Sequence, residues 1–275
     1  MGVRSGAATR GGIVAGRVAV GKSPVPAPGH AADFLLDRLL YRDGLILVVD
    51  KPAGLPVHAG PKRGPNLEDY LEALRFGLPE RPHLAHRLDR DTSGCLVLGR
   101  HRKALRRLGR LFEAGRVEKV YWAVVEGTPD PAERRIELGL EKRSTAARGW
   151  WMQVAAEGGQ ASVTDIRVLA SGGGRSLVEC RPRTGRTHQL RVHLAAIGHP
   201  ILGDPVYGGP LQGSRQGGPL LLHARSIALP LYPRRPAVAV TAPPPPAFVA
   251  AAGDLLPRGV AEPQTGPDTR IVETP

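Results

Sequence analysis

The alternation of apolar and polar positions along the chain predicts many short strands and a few helices. Five continuous apolar runs are typical of buried strands, and the alternation over 118–126 and 162–169 is typical of strands with two different faces. The strands are predicted at 45–49, 96–98, 118–126, 162–169, 177–180, 219–224 and 237–241. The charged, glycine-rich stretch 128–160 is expected to form hairpins and loops around Trp150 and Trp151, for which packing is favoured over stacking on a ligand.

Helical spacing of apolar residues predicts three helices between these strands. The first lies within 66–77, where Asn66 and Asp69 can form a capping box and Gly77 can close the helix. Its apolar residues fall on one face: Leu67, Tyr70, Leu71 and Leu74. A third helix is predicted at 187–197, with Thr187 as its N-cap.

The second helix, over 100–112, is amphipathic and strongly basic. Its predicted apolar stripe is Leu105, Leu108 and Phe112. Its outer face carries basic residues and no acid: Arg102, Lys103, Arg106, Arg107 and Arg110. Such a face is either simply solvated or neutralised by a polyanion, and a phosphate backbone is the natural candidate.

Charge and composition narrow the partner class. A formal net charge of +13 and a pI near 10.6 favour a polyanionic partner, with nucleic acid first and an anionic membrane surface second. No apolar run is long enough to span a bilayer, so no membrane partner is expected. Cys95 and Cys180 lie in apolar, strand-like stretches, which indicates buried thiols rather than a disulfide or a metal site.

Two segments are predicted to be flexible tails, 1–32 and 253–275, because neither can bury enough apolar surface to offset its ordering entropy. Residues 16–23 match the P-loop pattern letter for letter. The prolines at 24, 26 and 28 oppose the helix that a phosphate-binding loop requires, so nucleotide binding is not expected.

The candidate chemistry lies in the stretch 86–94, His-Arg-Leu-Asp-Arg-Asp-Thr-Ser-Gly. Asp89 stands between Arg87 and Arg90, and nearby cations favour an ionised carboxylate. The predicted strand 96–98 follows, so Asp89 would lie on a loop that enters the core. From local chemistry alone, an ordinary surface ion pair is the favoured interpretation.

The motifs shift that balance, because this stretch resembles the catalytic motif of the RluA-type pseudouridine synthases. Similar segments lie on both sides of it in the family's order. Lys51-Pro52 comes before it, Lys-Val-Tyr-Trp-Ala at 119–123 comes after it, and the last match is one run made of Gly-Arg-Thr-His-Gln-Leu-Arg-Val-His-Leu at 185–194 and Gly-His-Pro-Ile-Leu-Gly-Asp at 198–204. Four separated matches in sequence order are far less probable by chance than one.

The resemblance implies a fold and a reaction. The fold would be one α+β catalytic domain over 33–252, with a central mixed, largely antiparallel sheet and flanking helices. The reaction would isomerise specific uridines of structured RNA to pseudouridine. It is redox-neutral, so no cofactor and no metal are expected. The resemblance makes Asp89 the essential carboxylate, Tyr121 the residue at the target base and Arg191 the partner of Asp89.

The RNA would be an rRNA or tRNA stem-loop, bound by a cytoplasmic monomer that lacks the separate N-terminal RNA-binding domain of larger members. The residues expected to bind RNA are Arg87, Arg102, Arg106, Arg107, Arg110, Arg186 and His188. The alternative is a non-catalytic RNA-binding or ribosome-assembly factor on the same scaffold. An intact carboxylate in a basic setting argues against that alternative.

Overall fold

The structure is a computed structural model that describes residues 34–60, 64–147, 149–208 and 218–260. The predicted tail over 1–32, with its P-loop-like match at 16–23, lies outside the described residues. So does the part of the predicted C-terminal tail beyond residue 260.

The described residues form one sheet of eleven strands. The strands are β1 (Leu39–Arg42), β2 (Ile46–Lys51), β3 (His83–Leu84), β4 (Ser93–Gly99), β5 (Glu118–Glu126), β6 (Glu133–Thr145), β7 (Gly149–Val154), β8 (Gln160–Gly172), β9 (Arg175–Pro182), β10 (Leu222–Leu229) and β11 (Val238–Thr241). Each predicted strand is present, although β10 begins later and runs further than expected. Within the stretch expected to form hairpins and loops, β6 and β7 make one long hairpin.

The strand order is β1-β2-β4-β10-β5-β9-β8-β6-β7, with β3 beside β4 and β11 beside β10. The pair β4–β10 is parallel, and the other pairs of the described sheet are antiparallel. The sheet is therefore mixed and largely antiparallel, which confirms the predicted α+β class.

The parallel pair is short and depends on a glycine. Gly94 has φ 107°, and a Cβ atom there would lie 2.2 Å from the carbonyl oxygen of Ala224 on β10. Any larger residue would push the two strands apart. Because Gly94 ends the loop that carries Asp89, this close contact fixes where that loop leaves the sheet.

The predicted helices are present, with changes at their ends. The first is a 3-10 helix, Leu67–Leu74, whose capping box of Asn66 and Asp69 is confirmed, as is the burial of its four apolar residues. The second, α1, is Arg102–Glu113 and is capped by His101. Its buried face is Ala104, Leu108 and Leu111. Leu105 and Phe112 of the predicted stripe are half-buried beside that face, and Phe112 packs against the same apolar cluster as Leu108.

The third helix, α2 (Gln189–Ala196), begins later than predicted. Thr187 is not its cap; His188 is, and it has a left-handed backbone with φ 52° and makes no side-chain capping bond. Its imidazole is directed to other partners, described below. One more short helix, α3 (Pro246–Ala252), begins at the proline run that ends β11.

The core continues beyond the predicted domain boundary at 252. Leu255 is buried in the same apolar cluster as Phe248 and Ala252, so the expected tail begins with packed residues. Cys95 and Cys180 are both free and buried, as predicted. Among the helices of the described segments, none is long and apolar enough to cross a membrane.

Candidate active site

A buried lysine holds the loop that carries Asp89 through hydrogen bonds to backbone carbonyls. Lys51, at the end of β2, is fully buried, and its ammonium donates to the carbonyl oxygens of Pro52, Leu55 and Arg90 at 2.8, 2.8 and 3.0 Å. The backbone N–H of Gly54 also donates to the carbonyl of Arg90, at 2.9 Å. Two hydrogen bonds to the carbonyl of Arg90 therefore connect the turn after β2 to the loop that carries Asp89.

Burial lowers the pKa of Lys51 to about 7, although nearby carboxylates act to raise it. Three accepting carbonyls match the three donors of an ammonium group. The Lys51-Pro52 motif therefore has a physical role in this fold: it positions the loop, and its side chain points into the protein rather than at the cleft.

Arg191 lies beside Asp89 but is bound mainly to another carboxylate. Its Nη1 is 4.0 Å from Oδ2 of Asp89, whereas its Nε and Nη2 donate to Asp204 at 2.7 and 2.6 Å. Both Arg191 and Asp204 are buried. Arg191 therefore faces Asp89, as the resemblance implied, but its two short hydrogen bonds go to Asp204, a partner that the sequence did not indicate.

Asp204 is held by its own turn. Its Oδ1 also accepts the backbone N–H groups of Val206 and Tyr207, at 2.9 and 3.0 Å. Burial acts to raise the pKa of this carboxyl, but the bonds and charge of Arg191 outweigh burial and lower it. Gly203 allows the turn, since its φ is 77° and a Cβ atom would lie 2.0 Å from the carbonyl oxygen of Pro219.

His188 is the second group that faces Asp89. Its Nε2 lies 3.9 Å from Oδ2 of Asp89, and its Nδ1 lies 2.9 Å from the hydroxyl of Tyr207. Burial, with a smaller contribution from Arg191, lowers the pKa of His188 in spite of Asp89. The ring is therefore neutral at pH 7. If the Tyr207 hydroxyl donates to Nδ1, the ring proton is on Nε2 and points towards Asp89.

Tyr121 comes from β5, in the middle of the sheet, and lines the same cleft as Asp89. Burial, followed by the charge of Asp89, raises the pKa of its hydroxyl. Tyr121 therefore remains a protonated phenol at neutral pH and can donate a hydrogen bond.

These groups share a cleft of about 420 Å³. The predicted site residues that line it are Arg87, Asp89, Tyr121, Arg186, His188 and Arg191. Lys119 and Arg183 add two more cations to its wall. The cleft is thus a carboxylate site with a basic rim.

The basic face of α1 does not line this cleft. Phe112 and Glu113 at the end of the helix do, but Arg102, Arg106, Arg107 and Arg110 lie outside it. Arg102 is 3.8 Å from Glu80, and Arg107 lies over the ring of Tyr232 at 6.0 Å. Arg102 and Arg107 already have partners within the protein, which weakens the case that they bind a phosphate backbone. The case is stronger for Arg106 and Arg110, which are exposed.

Three groups at the site were not assigned a role from the sequence: Asp204, Tyr207 and Lys119. Asp204 is the last residue of the family-like segment 198–204, but no local pattern showed that it would bind Arg191 thirteen residues earlier. Tyr207 lies three residues after it, and its ring lies 5.0 Å from the Arg191 guanidinium. In the part of the chain described, no cluster of three or more His, Cys, Asp or Glu residues could hold a metal ion.

Known proteins resemble this chain in sequence. The sequence model of the RNA pseudouridylate synthase family matches residues 45–196. An uncharacterized RNA pseudouridine synthase of Zymomonas mobilis is 46% identical over 215 residues, which cover 78% of this chain and 97% of that protein. The ribosomal large subunit pseudouridine synthase C of Escherichia coli is 39% identical over 169 residues, 61% of this chain and 52% of that longer protein.

The fold has a solved counterpart. The structure of human RNA pseudouridylate synthase domain containing 4 superposes with a TM-score of 0.67 at 31% sequence identity. The superposition covers 82% of this chain and 95% of that one. The family match includes β2, β4, β5 and α2, the four elements that carry Lys51, the Asp89 loop, Tyr121 and Arg191.

Proposed function

The chain belongs to the RNA pseudouridylate synthase family, and on that premise we propose that Asp89 is the essential carboxylate with which it isomerises uridine in RNA to pseudouridine. The enzyme is an isomerase that acts on RNA. Its proposed centre rests on one observation: Asp89 lies in a cleft with a basic rim, faced by Arg191 at 4.0 Å and His188 at 3.9 Å.

The reaction breaks the bond between N1 of uracil and C1′ of ribose and joins C5 to C1′. The N1–C1′ bond is replaced by a C5–C1′ bond, and the hydrogen on C5 is lost while N1 gains one, so the atoms balance without a co-reactant. An ionised carboxylate can serve as the nucleophile or as the base in this sequence. Arg191, held in place by Asp204, keeps its positive charge 4.0 Å from Oδ2 of Asp89.

Tyr121 supplies the surface for the detached base. Its ring lines the cleft, and its hydroxyl stays protonated, so it can stack on the uracil and donate a hydrogen bond to it. A uridine paired in a helix could not enter a cleft of about 420 Å³. The target nucleotide must therefore be turned out of its stack, at a cost of a few kcal/mol that is smallest in loops.

The rim holds the RNA while the base enters. Arg87, Arg183 and Arg186 are exposed at the cleft, and Lys119 is partly buried there. Contacts from these cations to phosphates would offset the cost of turning the base out. The substrate is proposed to be a stem-loop of rRNA or tRNA, because a single cleft of this size contacts only a local stretch of RNA. The proposal also takes the protein to act as a monomer in the cytoplasm.

The test is Asp89→Asn, which keeps the shape of the side chain and removes its charge. Pseudouridine is measured in RNA from cells that lack the protein, with the wild type or the variant restored. We expect the variant to bind RNA but to leave uridines unmodified. Residual turnover within about tenfold of the wild type, or roughly 1.4 kcal/mol of barrier, would assign the chemistry to another residue.

The matched control is Asp91→Asn, two residues away. Asp91 is more exposed and lies 3.8 Å from Arg90. The same loop then carries the same loss of charge outside the proposed centre, and activity should stay near that of the wild type. A non-catalytic RNA-binding factor would instead leave uridine unmodified in the wild type as well.

A further inference from the structure

An indole at the mouth of the cleft is left uncovered. Trp150, on β7, is 48% exposed and is the one large hydrophobic side chain that is exposed among the described residues. Its ring lies 5.2 Å from the ring of His188 at an interplanar angle of 30°. Nε2 of the same imidazole lies 3.9 Å from Oδ2 of Asp89. The exposed indole and the proposed catalytic carboxylate therefore both lie near one imidazole.

The position of Trp150 is fixed by the fold. Alternate residues of β7 point to the same side of the sheet, so Trp150 shares a face with Met152. Met152 is buried against Val192 of α2, and its backbone N–H donates to the hydroxyl of Tyr207 at 2.9 Å. That hydroxyl also binds His188. The hydrogen bond from Met152 to Tyr207 thus attaches β7 to the site two residues away from Trp150.

Trp151 shows what the other face of the same strand does. Its indole N–H donates to Gln153 at 3.3 Å, and Gln153 donates to Glu141 at 3.0 Å. Glu141 also pairs with Arg143 at 2.9 Å. This face is a ladder of polar side chains on β6 and β7. The two adjacent tryptophans therefore have different surroundings, and Trp150 is the one beside the cleft.

A cation accompanies the exposed ring. The ammonium of Lys142, on the paired strand β6, lies 5.1 Å from the centre of the Trp150 ring. Lys142 is itself exposed. The ammonium lies over the face of the ring, and because Lys142 is an exposed, flexible side chain it can move to a phosphate when a base stacks on that face. An aromatic ring with a cation at hand binds single-stranded nucleic acid, because the ring stacks on a base and the cation meets the phosphate.

We propose that Trp150 and Lys142 form a subsite for the nucleotide next to the target uridine, with the base stacked on the indole and its phosphate at the ammonium. This inference rests on the proposed function and adds a recognition element outside the reacting centre. A base can reach Trp150 only when it is unpaired. The subsite would therefore select uridines with an unpaired neighbour, without regard to which base that neighbour carries.

The test compares two RNAs of equal charge. One is octauridine, and the other is the same chain of riboses and phosphates without bases. Dissociation constants are measured by fluorescence anisotropy for the wild type and for Trp150→Ala, Trp150→Phe and Trp151→Ala. Base stacking on an aromatic side chain changes affinity by about fivefold to a hundredfold.

We expect Trp150→Ala to weaken octauridine binding by about fivefold or more and to leave binding of the abasic chain unchanged. Trp150→Phe should recover part of the loss, and Trp151→Ala should resemble the wild type. Equal loss for both RNAs would mean that the variant disturbs the fold or the charge of the cleft, and no loss for either would remove the subsite. Both outcomes overturn the proposal.

The same measurements in the Asp89→Asn background separate this inference from the proposed function. Binding at Trp150 does not need chemistry, so the dependence on bases should persist in that background. If the wild type made no pseudouridine and the dependence persisted, the proposed function would fail and the subsite would stand. If modification occurred without the dependence, the subsite alone would fail.

Discussion

The most direct test of the architecture of the site is Asp204→Asn. Asp204 is buried and accepts two hydrogen bonds from Arg191, which is also buried. Asparagine has nearly the same shape and can still accept the backbone N–H groups of Val206 and Tyr207. The substitution therefore removes the negative charge and leaves the guanidinium of Arg191 with only Asp89 nearby.

The expected magnitude follows from burial. Removing one partner of a buried ion pair costs about 3–5 kcal/mol, because the remaining charge is left uncompensated. For a domain of this size, about 1 kcal/mol corresponds to roughly 2–4 °C in Tm. We therefore expect Asp204→Asn to lower Tm by about 6–20 °C. Chemical denaturation followed by circular dichroism measures the free energy of unfolding directly.

Asp165 provides the matched control. It also binds two arginines, Arg135 and Arg183, at 2.8 and 2.7 Å, but those guanidinium groups are more than half exposed. Exposed pairs contribute about 0–1 kcal/mol, so Asp165→Asn should cost little. If Asp204→Asn cost no more than Asp165→Asn, the buried pair would not be the anchor described here.

The pH dependence of the free energy of unfolding provides a second test of the same prediction. The pKa of Asp204 is lowered in the folded protein from an ordinary value of 3.8, so the folded state holds this carboxyl ionised more strongly than the unfolded state does. Its stabilisation is present above pH 3.8 and is lost as the pH falls through the folded pKa. Below pH 4 the unfolding free energies of the wild type and Asp204→Asn should converge, and a constant gap would contradict the argument.

Two further predictions concern groups buried under the site. Lys51→Met removes the donor to three carbonyls, so we expect a loss of about 2 kcal/mol in unfolding free energy and at least about tenfold in turnover. An unchanged turnover would mean that the hydrogen bonds of Lys51 do not position the Asp89 loop. Burial lowers the pKa of His86, His193 and His223 from 6.5 to about 4, so the unfolded chain binds protons first as the pH falls. Urea titrations should therefore show stability falling from pH 6.5 to 4, although Asp50, with a pKa raised to about 6, opposes part of that slope.

What could be predicted from the sequence was carried by local patterns. The capping box at Asn66 and the strand over β5 depend on residues a few positions apart, and both were confirmed, although β5 is buried continuously from Trp122 to Glu126 rather than at alternate positions. The sheet class followed from the strand-rich pattern together with the family resemblance. The start of α2 was missed because His188 has a left-handed backbone, which a capping rule based on side-chain oxygens does not anticipate.

The contacts that organise the site were not predictable, because they join distant parts of the chain. Lys51 reaches the carbonyl of Arg90, which lies 39 residues away. Trp150 meets His188 because the β6–β7 hairpin folds over α2, and the residues between them carry no periodic pattern that records this contact. The sequence favoured a packing role for Trp150, and its ring does lie against His188, but its exposed half beside the cleft could not be predicted.

In the proposed mechanism, the hydrogen bonds between Arg191 and Asp204 hold a positive charge near Asp89 without occupying its oxygens. If Arg191 made its two hydrogen bonds to Asp89, the lone pairs of that carboxylate would be occupied and its reactivity reduced. Because Asp204 accepts both bonds, the positive charge of Arg191 stays 4.0 Å from Asp89 without holding its oxygens. His188, held by Tyr207, approaches at 3.9 Å in the same way. In the proposed mechanism, the buried pair therefore supplies the electrostatic field, and Asp89 keeps the freedom to attack carbon or to take a proton.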